Sequence, residues 1–338
     1  MNKALGFALS LRCRATMARS RKRGAIASGM PQSRLPTIAR RIQPRQKEKQ
    51  MTILVTGATG SVGRLVVERL VAAGVRVRAL TRSPDAARLP DGVEVVAGDL
   101  ADPSTLVSVF GGVQRMYLFP VPATARGVVV GAVDAGVRHI VVLSSGAVTA
   151  GFDTDFHLPV EQAVEASGVA WTHVRPGEFM LNKLSLWGPS IRAERVVREP
   201  FPDTAWYPVH EHDIADVAVT ALLHAGHAGR VYDVNGPQLI SNRDQVRAIA
   251  EAIGEDIRLE VVTPGQARQH YLRQGGFAAA NADFLLGFED YSGNDTTPTP
   301  SEAFDPASAG PLPTAEQVTG RPARTFAAWA HDHADDFR

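Results

Sequence analysis

From residue 51 onward, short apolar runs alternate with segments whose apolar residues recur at helical spacing. The runs predict six strands, and the periodic segments predict four helices between them. This alternation is typical of an α/β fold with a doubly wound parallel sheet of the Rossmann type, whose ligand crevice lies at the carboxyl ends of the strands. The strands are expected at 52–56, 75–81, 93–97, 114–119, 139–144 and 170–175, and the helices at about 61–73, 103–110, 122–135 and 159–167.

A second group of elements follows residue 177 and predicts a smaller C-terminal α/β substrate lobe. Asp213 is the expected N-cap of one helix, and Ser241 with Asp244 has the spacing of a capping box at the start of another. A short last helix is expected to pack back on the body. Further strands are expected at 231–234 and 257–262, and an irregular connection rich in Pro, Ser, Thr and Gly at 292–313.

These elements predict three regions. Residues 1–50 are expected to form a basic, disordered extension, and residues 51–176 a dinucleotide-binding Rossmann domain. Residues 177–338 are expected to form the substrate lobe and the C-terminal helix, interleaved with the core.

The first predicted strand runs directly into the glycines of Gly57-x-x-Gly60-x-x-Gly63. Gly57 permits a tight turn, Gly60 lets the backbone approach a pyrophosphate, and Gly63 lets the helix pack on the strand. The positive end of the helix dipole then faces the phosphates. The loop residues expected to bind a dinucleotide are Gly57, Thr59, Gly60, Ser61, Val62 and Gly63.

The glycine spacing resembles that of the atypical short-chain dehydrogenase/reductase superfamily, which carries Thr-Gly-Ala-Thr-Gly-x-x-Gly in this place. Three later segments, at 98–100, 141–145 and 172–182, are similar to those of its NmrA-like group. This resemblance covers residues 51 to the C-terminus. It implies an NAD(P)H-binding protein that is either a reductase of quinones and related compounds or an NADPH-sensing regulator.

The end of the second strand indicates the choice of nicotinamide cofactor. No acid lies between Val75 and Ser83, and Arg82 stands where it can pair with a 2′-phosphate, so NADP(H) is preferred over NAD(H). The alternative for Arg82 is a solvated surface arginine. The resemblance also implies that Asp99 lies near the adenine, although a turn aspartate would serve the sequence equally well. Further cofactor contacts are expected at Leu100, Phe119, Pro120, Ser144 and Pro176.

The catalytic residues are harder to predict. Most short-chain reductases use a Tyr-x-x-x-Lys pair, but no tyrosine occurs between Tyr117 and Tyr207. His157 and Ser145 are the predicted catalytic groups, with His157 as proton donor or substrate-orienting group. A quinone is an easier acceptor than a ketone because solvent can supply the proton. The residues expected to face the substrate are Phe179, Asn182 and Trp187.

Charge and cysteine content restrict the remaining functions. Residues 1–50 hold 13 Lys and Arg and one acid, which leaves 34 acids against 23 bases in the rest. The folded part is therefore acidic and disfavours nucleic-acid binding. Met51 precedes the first strand, so the extension is interpreted as sequence upstream of the usual start, a dispensable or targeting segment, or a nucleic-acid-binding arm. The single cysteine, Cys13, and the absence of a long apolar run indicate a cytoplasmic protein without a membrane span.

These observations favour an NADPH-dependent oxidoreductase acting on a small electron-poor acceptor such as a quinone. The alternative is a non-catalytic NADP(H) sensor that acts through a regulatory protein partner, and a homodimer is also left open. A sugar-nucleotide epimerase is disfavoured because epimerisation also needs the missing tyrosine. No metal site is expected, since Asp213 is better explained as a helix cap than as part of a His210–Asp213 ligand set.

Overall fold

Seven parallel strands form the central sheet of the computed structural model, which describes residues 51–298 and 312–338. The strands of the described residues are β1 (Thr52–Val55), β2 (Arg76–Thr81), β3 (Glu94–Ala97), β4 (Arg115–Leu118), β5 (His139–Leu143), β6 (Ala170–Pro176), β7 (Val196–Glu199), β8 (Ala205–Trp206), β9 (Arg230–Val234), β10 (Ile240–Ser241) and β11 (Arg258–Val261). The central order is β3-β2-β1-β4-β5-β6-β9. The predicted doubly wound parallel sheet is confirmed.

Helices follow most of these strands. In the described part of the chain they are α1 (Ser61–Ala72), α2 (Ala125–Asp134), α3 (Gly146–Thr149), α4 (Leu158–Ala166), α5 (Asn182–Leu186), α6 (Gly188–Glu194), α7 (Glu211–Leu223), α8 (Asn242–Ile253), α9 (Pro264–Gln274), α10 (Gly276–Ala280), α11 (Ala282–Leu285), α12 (Thr314–Thr319), α13 (Phe326–Asp332) and α14 (Ala334–Phe337). Within the described ranges, no helix is long and apolar enough to cross a bilayer.

Two helical layers enclose the sheet. Ile53 and Val55 of β1 pack in one apolar cluster with α1 and α7, whereas Leu54 packs in a cluster on the other face with α2 and α4. Successive strand residues point to opposite faces, so one continuous apolar strand supplies both layers. The strand order reverses between β1 and β4, which places the ligand crevice at the carboxyl ends of these neighbours.

The strand expected at 231–234 exists, but it belongs to the central sheet rather than to the small lobe. As β9 it pairs in parallel with β6, with Pro176 opposite Val234. The preceding α7 packs against the sheet, so α7 and β9 continue the strand–helix alternation after a long insertion. The order of elements along the chain did not predict that β9 rejoins the central sheet.

Two predicted helical features differ from the observed ones: the type of one helix and the N-cap of another. The helix expected at 103–110 is only a 3₁₀ turn, Pro103–Leu106, because the Thr105 hydroxyl bonds the Asp102 carbonyl, 2.7 Å away, and competes with helical pairing. Asp213 is not an N-cap. His210 holds that position, and its side chain accepts the His212 N–H, while Asp213 accepts a hydrogen bond from the Arg324 backbone N–H at 2.7 Å.

The smaller lobe has its own apolar cluster. The pair β7–β11 is parallel and β8–β10 antiparallel. Ser241 caps α8 as expected, accepting the Asp244 N–H at 3.1 Å. Phe326 and Trp329 of α13 are buried against α8, which confirms that the last helices pack back on the body. The predicted extension 1–50 and most of the irregular connection lie outside the described residues.

Candidate functional site

The glycine-rich loop joins β1 to α1 with the geometry that an anion site requires. Gly57 has φ +61°, a left-handed value that favours glycine. A Cβ at Gly63 would lie 2.1 Å from the Gly57 carbonyl oxygen, so only glycine lets α1 approach the turn this closely. No side chain caps the first turn of α1, which leaves its N–H groups directed at the crevice. Thr59, Gly60 and Ser61 are exposed around it.

The ends of β2 and β3 lie on the same edge of the sheet. Arg82 follows β2, is exposed, and has no hydrogen bond or ion pair recorded within the described residues. Asp99 follows β3, and its carboxylate accepts the Ala101 N–H at 2.9 Å, as a turn aspartate does. Leu100 is buried in the cluster below. Arg82 is therefore the charged side chain that is available to bind a ligand at this end of the crevice.

The side chain of Thr56 links the ends of β1 and β4 by hydrogen bonds. The Thr56 hydroxyl donates to the Tyr117 carbonyl at 2.9 Å and accepts the Phe119 N–H at 2.7 Å. Phe119, 40 % exposed, covers Gly57, and Pro120 is buried behind it. Sequence reasoning missed this role of Thr56.

The ends of β5 and β6 bring three predicted residues together. Ser144 is 3 % exposed and its Oγ has no hydrogen-bond partner among the described atoms, so it is a buried polar group that a ligand can satisfy. The Ser145 hydroxyl accepts the Ala147 N–H at 3.2 Å and caps α3. Pro176 ends β6 beside Val234. The glycine loop, the uncapped helix and the Ser144 hydroxyl together fit a dinucleotide.

His157 is held in place by an acid of its own segment. Its Nδ1 lies 2.5 Å from Asp153 Oδ2, and its backbone N–H donates to Asp153 Oδ1 at 2.9 Å. Both side chains are buried, His157 just before α4. Burial alone would raise the pKa of Asp153, but the hydrogen bond and charge of His157 outweigh it and lower that pKa. This pair anchors α4, and the catalytic role of His157 stays a prediction.

The segment after β6 leads into a cavity of about 230 Å³. Asn182 and Trp187, two of the three predicted substrate residues, line it. Phe179 does not: it is 5 % exposed in the core of the sheet, because its backbone bridges to Val209 and turns the ring inward. The expectation that Phe179 faces the open side is therefore corrected. The other aromatic lining residues are Phe201, Trp206, Tyr271 and Phe284.

Sequence reasoning missed three charged residues of this cavity, of which Lys183 and Glu199 are buried and Glu178 is partly buried. Lys183 Nζ lies 2.9 Å from Glu178 Oε1, 3.3 Å from Asn242 Oδ1 and 4.3 Å from the centre of the Trp187 ring. Burial raises the pKa of Glu199 above its usual range. One feature of the sequence could have singled out Lys183, since it is the only lysine in residues 51–338.

A larger cavity, about 550 Å³, runs along β9, the outermost strand of the central order. Partly buried polar side chains form a hydrogen-bonded chain at its wall: Thr149 donates to Asp233 at 2.5 Å and accepts from Arg175, which also pairs with Glu161. Burial raises the pKa of Asp233. These groups satisfy one another, so the aromatic cavity is the better candidate for substrate.

One group of three metal-ligand types occurs among the described residues. Glu161, Glu165 and His173 place ligand atoms within 4.8 Å of one another. Arg175 already contacts both Glu161 oxygens, at 2.9 and 2.5 Å, which occupies the central carboxylate. The group is better explained as a structural ion-pair network.

Comparisons with known proteins agree with this geometry. The family described as NAD(P)H-binding matches residues 57–225. The chain is 39 % identical over 293 residues to a (4-alkanoyl-5-oxo-2,5-dihydrofuran-3-yl)methyl phosphate reductase of Streptomyces griseus, across 84 % of this chain and 99 % of that protein. It is 36 % identical over 301 residues to an NAD(P)H azoreductase of Xenophilus azovorans, across 84 % and 99 %.

The fold is also similar to solved structures. A triphenylmethane reductase of Citrobacter sp., complexed with NADP(H), superposes with a TM-score of 0.68 at 22 % identity, over 84 % of this chain and all of that one. This structural similarity shows the fold, whereas the two relatives and the matched family model show the family to which the chain belongs. The chain therefore belongs to the NAD(P)H-binding family, and its motifs resemble those of the NmrA-like group of atypical short-chain dehydrogenases/reductases.

Proposed function

We propose that this protein is an NADPH-dependent oxidoreductase that transfers a hydride to a small electron-poor acceptor such as a quinone. The observation that carries the proposal is the aromatic cavity that opens from Glu178 and Asn182, directly after β6, at the same carboxyl-end edge of the parallel sheet as the glycine loop. Both curated relatives above are reductases by name, and their similarity covers nearly their whole lengths.

The cofactor is proposed to lie across the carboxyl ends of β1, β4, β5 and β6. Gly57, Gly60 and Gly63 would allow its phosphates a close approach to the backbone, and the unpartnered Ser144 hydroxyl would be available to hydrogen-bond it. When bound, it supplies the hydride. The protein's part is to hold the acceptor against it, because proximity carries most of the catalysis for an electron-poor ring.

NADP(H) is proposed as the preferred cofactor. The exposed Arg82 follows β2, where the 2′-phosphate of NADP lies in this fold, and no acid stands between Val75 and Ser83 to repel it. Residues 51–176 are proposed to bind the cofactor and 177–338 to cover the substrate, with α7 and β9 returning to the sheet.

An acceptor panel tests the function. The full chain is offered NADPH with quinones, azo dyes and aldehydes, and NADPH consumption is followed by its absorbance while binding is measured separately by fluorescence. An oxidoreductase consumes NADPH with at least one quinone or azo dye. A non-catalytic sensor binds NADPH and never consumes it, and this outcome would falsify the proposal. The cytoplasmic location, a homodimer and a regulatory protein partner stay predictions.

A further inference from the structure

Lys183 is chemically unlike every other basic residue of the folded part. Residues 51–338 contain 23 Lys and Arg, and 22 of these are arginine. Arginine keeps its proton at any physiological pH, whereas a lysine ammonium can give one up. Among the Lys and Arg side chains of residues 51–338, Lys183 is therefore the one that can release a proton.

The position of Lys183 matches such a use. The residue is 5 % exposed, lies in α5 just after β6, and lines the aromatic cavity. An ammonium has three N–H groups. Within the described residues, Glu178 and Asn242 engage two of them, and the third is available to a ligand.

The charges around the cavity balance. Glu178 is the partner of Lys183. Burial raises the pKa of Glu199 and that of Tyr271, which opposes the ionisation of both side chains. Lys183 and Glu178 neutralise each other as an ion pair, so the cavity wall is better suited to an uncharged ligand than to an ionic one.

We propose that Lys183 is the proton donor of the reaction, and that the cavity binds an uncharged, planar aromatic acceptor whose heteroatom accepts a hydrogen bond from the Lys183 ammonium. Half-buried Phe201 and Trp206 supply aromatic surface for such a molecule. This inference rests on the proposed oxidoreductase function and names its substrate class and proton source.

The step balances in electrons and protons. An uncharged quinone gains a hydride from NADPH and becomes a hydroquinone monoanion, while NADPH is oxidised to NADP⁺. The Lys183 N–H bond breaks as the new O–H bond forms, which gives the neutral hydroquinone and a neutral amine. The amine regains its proton from water, and Glu178, 18 % exposed, holds the restored ammonium in place.

Three variants separate proton donation from charge and from folding. Lys183→Arg keeps the positive charge beside Glu178 but cannot release a proton, Lys183→Met loses both, and Arg247→Met removes an exposed arginine of α8 as the matched control. We expect both Lys183 variants to lower kcat with a neutral quinone by about 10- to 100-fold, with little change in KM. The control keeps the wild-type rate. A Lys183→Arg enzyme with wild-type kcat would overturn the proposal.

A binding measurement tests the same contact without turnover. 4-Nitrophenol is titrated against the full chain without added cofactor, and the absorbance of its phenolate reports the ionisation of the bound probe. A nearby ammonium favours the phenolate, so Lys183→Met should raise the apparent pKa of the bound probe by about 1–3 relative to wild type, and Lys183→Arg should raise it less.

The two measurements fail in different ways. If no acceptor oxidises NADPH but the probe responds to Lys183→Met, the proposed function fails while the contact with Lys183 stands. If quinones are reduced but the probe ionises identically in wild type and Lys183→Met, the inference about Lys183 is wrong and the oxidoreductase function stands. Probe binding that is lost in both Lys183 variants but kept by Arg247→Met supports the cavity as the binding site.

Discussion

At the scale of single residues, the candidate site depends on residues whose surroundings leave them able to contact a ligand. Gly63 permits a contact that no side chain allows, and Ser144 carries a buried hydroxyl without a partner among the described residues. Arg82 is charged, exposed and free of recorded ion pairs in the described part of the chain. Ser145, Asp99 and His157 differ, because each already bonds a neighbour in its own segment.

The exchange of Arg82 for alanine tests the cofactor preference. We expect Arg82→Ala to weaken NADPH binding by about 1–3 kcal/mol and to leave NADH binding nearly unchanged, because one charge-assisted contact to the 2′-phosphate is lost. Titration calorimetry with both cofactors measures the difference. Arg138→Ala is the matched control, since Arg138 is exposed at the opposite, amino end of β5. Equal affinities of the wild type for NADPH and NADH would contradict the assignment.

At the scale of elements, the start of α7 ties the C-terminal helices to the sheet. Glu211 is buried and accepts from His333 at 2.9 Å, while Asp213 and Asp216 both pair with Arg324. Burial alone would raise the pKa of Glu211, but the neighbouring His210 and the hydrogen bond with His333 outweigh it and hold that pKa far below its usual value. The last residues of the chain are thus fixed by charge as well as by apolar packing.

His333 makes this attachment depend on pH. Burial would lower the pKa of His333, but the carboxylates of Glu211 and Asp336 outweigh it and raise that pKa above 6.5. The stabilisation is therefore complete below about pH 6.5 and is lost as pH rises through the folded pKa, whereas the contribution of Glu211 is lost only in acid. His333→Gln should lower the free energy of unfolding by about 1 kcal/mol near pH 5.5 and by less at pH 8–9.

Urea denaturation at both pH values measures this difference. The matched control is His331→Gln, because His331 is exposed two residues earlier on the same segment. If the loss of unfolding free energy in His333→Gln grows toward high pH, the ion pair with Glu211 is not the cause of that loss.

At the scale of the whole molecule, charge and fold divide at residue 51. Residues 1–50 carry 13 bases and one acid, whereas the rest holds an excess of 11 acids. The elements from β1 onward include every strand of the seven-stranded sheet. The proposed function accordingly resides in residues 51–338.

A chain that begins at Met51 tests this division. We expect it to melt at the same temperature as the full chain and to bind NADPH with the same affinity, as measured by differential scanning calorimetry and fluorescence titration. A melting temperature lower by several degrees would show that residues 1–50 stabilise the fold. If the extension is instead a nucleic-acid-binding arm, only the full chain should bind duplex DNA, with affinity that falls steeply as salt increases.

The sequence by itself determined six of the seven strands of the central sheet, the glycine loop and the family. Apolar runs such as Ile53–Val55 and the spacing of Gly57, Gly60 and Gly63 are local patterns, and local patterns fix strands, turns and helix starts. Only the tertiary structure decided where distant segments meet. It brought β9 beside β6 and turned Phe179 into the core. It also closed the cavity around Lys183 with Asn242, 59 residues away, because such pairings depend on packing and charge compensation between elements that no local pattern specifies.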